Sequence, residues 1–231
     1  MGDKLDVEYV LLIMNCVKYR EKAFLQKNGW LKNLPECMQY YHVIGDPSMS
    51  EQYVFDDSER ILWVKTMDDY VSLPKKVVAA LSAVRNTIKF KYIFKTDDDQ
   101  DLQDKTFFNN LIQELQRKPT KMKSHYGGQV VDVQIPYLSQ YFTIHPELPQ
   151  DMIIQKTEYC SGRFYFLSPE ATTNLVSKRE NIEKEYLEDY AIGLNLNPVF
   201  KKVMTPIQSD NYFKDAEQDN NSCSSQLSLF Q

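Results

Sequence analysis

Residues 92 to 104 read Tyr-Ile-Phe-Lys-Thr-Asp-Asp-Asp-Gln-Asp-Leu-Gln-Asp. An apolar, β-prone run (Tyr92, Ile93, Phe94) leads almost directly into three consecutive carboxylates, Asp97, Asp98 and Asp99. The pattern predicts a buried strand that delivers three like charges to the edge of a sheet, where they have little room to spread. A hard divalent cation removes that repulsion, and carboxylate oxygens suit Mg2+ or Mn2+. The same run also reads as a solvated acidic turn capping a helix that starts near Lys105, and the triplet by itself does not separate the two.

The flanking sequence places the triplet in an α/β frame. Residues 7–14 form a continuous apolar run, as expected of a strand buried on both faces. Residues 18–31 carry helical spacing with Ala23, Phe24 and Trp30 on one side, and 40–44 read as a strand ending at the turn Gly45-Asp46-Pro47. A third strand is expected at 61–64. A helix is expected over 73–87, with Pro74 in its first turn and Val77, Val78, Leu81 and Val84 along its buried stripe. The strand before the triplet and a helix over 105–117 complete an alternation that argues for a mainly parallel sheet. Ligands bind such sheets at the carboxyl ends of the strands, which is where the triplet falls.

From residue 118 the pattern changes. Segments 127–133 and 137–144 alternate like antiparallel strands, interrupted by Pro136, Pro146 and Pro149. A strand at 162–167, helices at 169–178 and 181–194, and a last strand at 200–204 follow. From Asp215 the chain turns polar and low in complexity, which predicts a poorly ordered tail over 215–231. No internal repeat is visible.

Composition bounds the function. A chain of 231 residues, 42% hydrophobic and 26% charged, is long enough for one large domain with a substantial core. The net charge of -5 gives no electrostatic reason to expect nucleic acid. The four cysteines (Cys16, Cys37, Cys160, Cys223) form no CxxC pair and have no histidine at zinc spacing, so free thiols in a reducing compartment are expected over disulfides. No stretch approaches the roughly 18 apolar residues of a membrane span. The first residues lack a signal-peptide layout, and Asp6 stands where a myristoylation signal needs Ser or Thr. The expectation is a cytoplasmic, unanchored protein; the alternative is a luminal Golgi or ER domain excised from its anchor.

Four separated segments carry a resemblance. Asp68-Asp69-Tyr70-Val71-Ser72-Leu73-Pro74-Lys75-Lys76, Lys95-Thr96-Asp97-Asp98-Asp99, Tyr159-Cys160-Ser161-Gly162-Arg163-Phe164-Tyr165 and Glu188-Asp189-Tyr190-Ala191-Ile192-Gly193 follow one another in order. In that order and spacing the chain resembles the β-1,3-glycosyltransferases of glycosyltransferase family 31, which includes galactosyl- and N-acetylglucosaminyltransferases and Fringe-like enzymes. Lys27-Asn28-Gly29-Trp30 is a fainter match near the family's first helix. The resemblance covers roughly residues 7 to 205.

It implies a GT-A fold: a Rossmann-like, mainly parallel sheet over 1–117 that binds the nucleotide-sugar, merged with an acceptor-binding half over 118–214. It also implies an inverting, metal-dependent transfer of a hexose or N-acetylhexosamine from a UDP-sugar to a glycan or glycoprotein hydroxyl, with a β-1,3 linkage. Mn2+ or Mg2+ would offset the charge that develops on the diphosphate leaving group. Asp99 is expected to ligate the metal, with Asp97 beside it. Asp97, Asp98, Lys76, Asn15 and Arg20 are assigned to the donor. Inversion needs a base on the acceptor hydroxyl, and Asp189 occupies the matching position. Tyr159, Gly162, Arg163 and Glu188 are expected around the acceptor and sugar. Gly162, lacking Cβ, would let a sugar approach the backbone, with a simple turn glycine as the alternative, and Lys76 reads equally as a solvated helix lysine.

Departures from the family are specific. A histidine commonly follows the Glu-Asp segment there as a further metal ligand, whereas His42, His125 and His145 all precede it here. Asp210 is the expected substitute. Arg163-Phe164 replaces small residues after the glycine, and the family cysteine shortly before the triplet is missing, leaving Cys160 without a partner. Two other classes stay open on the residues alone: a Mg2+-dependent phosphohydrolase and a non-catalytic nucleotide-sugar-binding relative.

Overall fold

A computed structural model describes residues 4–117 and 123–216. Three elements precede the first crossover: β1 (Leu5–Asp6), β2 (Tyr9–Met14) and α1 (Arg20–Asn28). They are followed by β3 (Met38–Gly45), β4 (Tyr53–Asp56), β5 (Ile61–Val64), α2 (Leu73–Thr87), β6 (Ile88–Lys89), β7 (Tyr92–Asp97), β8 (Gln100–Leu102) and α3 (Phe107–Arg117). The second half contains β9 (Tyr126–Val133), β10 (Tyr137–Leu138), β11 (Ile153–Ile154), β12 (Thr157–Leu167), α4 (Pro169–Ser177), α5 (Arg179–Ile182), α6 (Glu188–Asn195), α7 (Pro198–Lys201), β13 (Thr205–Pro206) and β14 (Phe213–Asp215).

One eight-stranded sheet runs in the order β13-β9-β12-β7-β2-β3-β5-β4. Its core β7-β2-β3-β5 is parallel, while β12 runs antiparallel to both β7 and β9. The expected α/β class, a mainly parallel sheet merged with a second half in the manner of the GT-A fold, is the one observed. All six residues of β2 are buried, and they divide by the strand period of two. Val10, Leu12 and Met14 join the cluster under α2, α4 and α6, while Tyr9, Leu11 and Ile13 join the cluster under α3. A third cluster, built from Val133, Leu148, Ile154, Tyr159, Leu187 and Tyr190, underlies the second half.

Several local expectations change. On α1 the buried positions are Ala23 and Gln26, while Phe24 is 66% exposed. The strand expected over 137–144 stops at Leu138; the Ser139 hydroxyl then accepts the Tyr141 N–H at 3.2 Å, and a 3-10 turn follows over Tyr141–Thr143. The helix expected over 181–194 is two helices, α5 and α6, because Leu187 is extended. The strand expected over 200–204 does not form; helix α7 ends at Lys201 and a turn follows it. Asn197 caps the helix by accepting the Val199 N–H, and Pro198 opens it. Several short strands escaped the sequence reading, β4 and β8 among them. β4 is a half-buried edge with faint alternation, and β8 hides inside the acidic run. The tail expected from Asp215 starts too early, since Asp215 pairs with Gln100 in the β14–β8 ladder. Residues 217–231, the N-terminal Gly2 and Cys223 lie outside the described residues.

Candidate active site

The triplet sits at the carboxyl end of β7, a central strand flanked by β2 and β12. Asp97 ends the strand and Gln100 begins β8, so Asp98 and Asp99 form the turn between them. Several backbone groups in and beside that turn are held. The Asp98 N–H donates to Met14 O at 3.0 Å, and the Ala216 N–H donates to Asp99 O at 2.7 Å. Gln26 Nε2 donates to Asp97 O (3.2 Å) and Gln100 O (2.9 Å), and Trp30 Nε1 donates to Gln100 O at 3.1 Å. Gln26 is itself fixed by His42 Nε2, 3.0 Å from Gln26 Oε1. Burial drives the His42 pKa down to about 3, so the ring is neutral and its Nε2–H is the donor. The Trp of the fainter sequence match therefore braces the triplet from below.

Opposite the triplet, β12 carries a large irregularity. Cys160 pairs with Val130 and Tyr165 with Gly128, so five steps along β12 face two along β9, leaving three extra residues. Such bulges re-aim groups beside active sites. Here the bulge withdraws Gly162 from the ladder and frees its peptide groups. Its N–H donates to Asp189 Oδ2 at 3.0 Å, and its carbonyl accepts Lys95 Nζ at 2.8 Å. A Cβ on Gly162 would lie 3.4 Å from Lys95 Nζ and 3.6 Å from both Asp189 and Glu188, so no steric conflict forces glycine at this position.

Glu188 and Asp189 occupy the first turn of α6, where the helix dipole favours negative charge. Asp189 Oδ1 also accepts the Tyr190 N–H at 2.7 Å. Glu188 is buried; one oxygen accepts the Tyr165 hydroxyl and the other lies 3.0 Å from Lys95 Nζ. Lys95 Nζ also pairs with Asp97 Oδ1 at 2.8 Å. Burial raises the pKa of Asp97 to about 6, with Lys95 opposing it and Glu188 adding to it. Burial likewise raises Asp98 to about 6, opposed by Lys22 at 3.3 Å. Asp189 is also raised, chiefly by burial and against its two N–H partners.

These groups line a cavity of about 360 Å³, at the small end of ligand pockets. It is lined by seven carboxylates (Asp68, Asp69, Asp97, Asp98, Asp99, Glu188, Asp189) and two lysines (Lys76, Lys95). Of the expected site residues, Asn15, Lys76, Asp97, Asp98, Asp99, Tyr159, Gly162, Glu188 and Asp189 converge there. Lys76 is 3% exposed, pairs with Asp68 at 2.6 Å and donates to Asn15 O at 2.8 Å, so it is not a solvated helix lysine. Asn15 turns Nδ2 to Tyr19 O at 3.4 Å and leaves Oδ1 buried without a partner among the described residues.

Three expected residues lie elsewhere. Arg20 is exposed at the start of α1. Arg163 faces away from the pocket. Its guanidinium donates to Phe213 O (3.1 Å) and pairs with Asp215 (2.9 Å) and Asp210 (3.0 Å). Asp210 is thus tied to Arg163 and to Gln129 Nε2 at 3.0 Å, and the structure does not bring it to the triplet. Arg163 follows Gly162 along β12, and successive residues of a strand face opposite sides. Sequence reasoning missed Lys95, Asp68, Asp69 and Tyr141 as pocket groups. The i, i+2 spacing of Lys95 and Asp97 on a strand, which puts both on one face, was the available signal.

The donor set bears on a metal. Among the described residues no three His, Cys, Asp or Glu groups stand close enough to form a ready-made cluster. No histidine lines the pocket either; His145 instead stacks on Tyr70 with ring centroids 3.8 Å apart. The excess of hard oxygen donors at the triplet nonetheless has the chemistry of a Mg2+ or Mn2+ site. Asp97 and Asp99 are the triplet groups that could hold one. Cys16, Cys37 and Cys160 are unbridged. No helix among the described residues is long and apolar enough to cross a membrane.

Comparison with known proteins adds an independent finding. A family profile described as Galactosyltransferase matches residues 22–203. No curated protein matches. Among solved structures, residues 1–349 of TarS from S. aureus superpose with a TM-score of 0.49 at 12% identity, covering 91% of this chain and 60% of that one. The glycosyltransferase GlyE of Streptococcus pneumoniae TIGR4 gives 0.45 at 8% identity (89% and 46% covered). The galactosyltransferase LgtC, solved with donor and acceptor sugar analogs, gives 0.43 at 11% identity (87% and 73%). The chain thus spans less than two thirds of the first two, and likenesses this distant assign no residue or substrate.

Proposed function

This chain belongs to the galactosyltransferase family, and from that premise we propose that it is an inverting, metal-dependent transferase. It moves a hexose or N-acetylhexosamine from a UDP-sugar to a hydroxyl of a glycan or glycoprotein, forming a β-1,3 linkage. Family membership sets aside the phosphohydrolase alternative. The observation that carries the reading is the convergence, in one pocket, of the Asp97–Asp99 turn and the Asp189 carboxylate on opposing elements.

Each residue has a part that its surroundings support. The unpartnered Asn15 Oδ1 is a buried acceptor suited to an imide N–H such as that of uracil. Lys76, anchored by Asp68, keeps the floor beneath it in place. Asp99 and Asp97 would hold Mn2+ or Mg2+, which when bound supplies charge neutralisation for a departing diphosphate. Asp189 accepts the proton of the attacking hydroxyl. Its two backbone N–H partners aim the carboxylate, and burial makes it more basic than a surface aspartate. Glu188 is a poor rival, since it is more deeply buried than Asp189 and one of its oxygens is ion-paired with the Lys95 ammonium, whereas Asp189 accepts from two uncharged backbone N–H groups.

Asp189→Asn keeps shape and removes basicity. Stabilisation by Mn2+-UDP should survive while kcat for transfer falls on the order of 10² to 10⁴-fold. Full transfer activity in that variant would move the base elsewhere.

A further inference from the structure

Lys95 is 2% exposed and carries the only ammonium that touches both walls of the pocket among the described residues. An ammonium has three protons to donate. Here they meet Asp97 Oδ1 at 2.8 Å, Glu188 Oε2 at 3.0 Å and Gly162 O at 2.8 Å. All three are protein groups, so Lys95 has none left for substrate and can act only through its neighbours. Those neighbours belong to three different elements: the end of β7, the bulge of β12 and the first turn of α6.

We propose that Lys95 is the positioning residue that sets the Asp189 carboxylate relative to the donor-binding turn. The chain of contacts is short. Lys95 fixes the Gly162 carbonyl, and the N–H of Gly162 holds Asp189 Oδ2 at 3.0 Å. Lys95 also holds Glu188, the residue before Asp189, while its third contact anchors the assembly to Asp97. The ammonium is the charge that lets Asp97 and Glu188 sit on either side of it. Without it, two carboxylates would face each other across the gap and push the start of α6 away from β7. Burial alone would lower the pKa of Lys95, and its two carboxylate partners outweigh that effect to keep it charged.

The proposal rests on Asp189 as the base, and a double-mutant cycle separates the two ideas. Lys95→Met is compared with wild type and within Asp189→Asn, following turnover of UDP-galactose and UDP-N-acetylglucosamine and thermal stabilisation by Mn2+-UDP. Lys95→Met should lower kcat roughly 10- to 10²-fold, as expected for a base displaced by about 1 Å. Mn2+-UDP stabilisation should hold, because Asp97 is released rather than lost. In the Asp189→Asn background the further loss should be less than about threefold, since Lys95 acts through Asp189. Should Lys95→Met fail to fold, Lys95→Met/Glu188→Gln removes one of the two opposed charges and takes its place in the cycle. The Gly162 amide resonance gives a readout independent of turnover; loss of its bond to Asp189 should shift it upfield in the Lys95 variants. Multiplicative losses in the cycle, or an unmoved Gly162 amide, overturn the positioning role while leaving Asp189 intact. Unchanged turnover in Asp189→Asn alone would instead overturn the base assignment, and the amide shift would still decide whether Lys95 positions that carboxylate.

Discussion

Gly193 tests how the base is placed. On α6 it lies against β12, where an added Cβ would stand 2.1 Å from Tyr159 Cβ, 2.7 Å from Tyr159 Cα and 2.9 Å from Glu158 O. Ordinary contact begins at 3.4 Å, so Gly193→Ala requires a separation of 3.4 − 2.1 = 1.3 Å between backbones that cannot rotate out of the way. Lys201 Nζ donates to Gly193 O at 2.9 Å and also to Thr157 Oγ1 at 2.8 Å, so the helix is clamped to the strand it would have to leave. Asp189 is four residues earlier, on the same helix face one turn away. A shift of about 1 Å at Gly193 should therefore move Asp189 by a similar distance, and misplacement on that scale costs on the order of 10² in rate. Stability should change far less. Overpacking costs about 1–3 kcal/mol, and replacing a helical glycine by alanine returns about 1 kcal/mol. Steady-state kinetics beside thermal melts, with Mn2+-UDP binding as the control for the donor side, read the effect. A Gly193→Ala protein with kcat within about threefold of wild type would refute the reasoning, because the close approach would then serve packing alone.

Two further outcomes follow from the site. Burial raises the Asp98 carboxyl to about 6 from an ordinary 3.8, so the folded state binds that proton more tightly than the unfolded chain; this group's contribution to stability falls as pH rises from about 4 to about 6. In chelator, Asp98→Asn should thus gain on wild type across that window, by about 1–3 kcal/mol at most, and a gap between the two melting curves that does not vary with pH would contradict it. Arg163→Ala should lower stability by about 1 kcal/mol and weaken Mn2+-UDP binding, because Arg163 holds β14 and β14 holds Asp99 through the Ala216 N–H; a change confined to acceptor KM would return Arg163 to the sugar pocket.

Local signals were legible wherever one element decided them. Helix α2 spans Leu73–Thr87 as the Pro74 start and the apolar stripe predict, and β5 spans Ile61–Val64 as its apolar run predicts. The strand before the triplet, and the triplet's place at its end, were equally readable, because its first three residues, Tyr92–Phe94, form an apolar run that leads to the carboxylates. What was lost depends on contacts remote in sequence. Lys95 interrupts an apolar strand and looks like an exception until Glu188 arrives from α6. Arg163 stands beside Gly162 in the chain, yet its guanidinium pairs with Asp210 and Asp215, away from the pocket, while the irregularity in β12 leaves Gly162 outside the ladder. A bulge is set by the mismatch between two strands, and neither strand displays it alone. Asp210 was proposed to fill the vacancy left by the missing histidine, and it is tied to Arg163 instead.

Charge balance then supplies the argument for a cation that the absent histidine had weakened. Seven carboxylates line the pocket against two lysines. Lys95 is saturated by protein acceptors, and Lys76 is paired with Asp68. Lys22, beside the pocket, is already turned to Asp98. A nucleoside diphosphate entering this space would bring further negative charge, and among the described residues no arginine lines the pocket to receive it. Like charges at such range repel strongly where water is excluded. Binding an anionic donor beside Asp97, Asp98 and Asp99 therefore calls for positive charge from solution, and Asp99 is the triplet carboxylate that pairs with no lysine among the described residues.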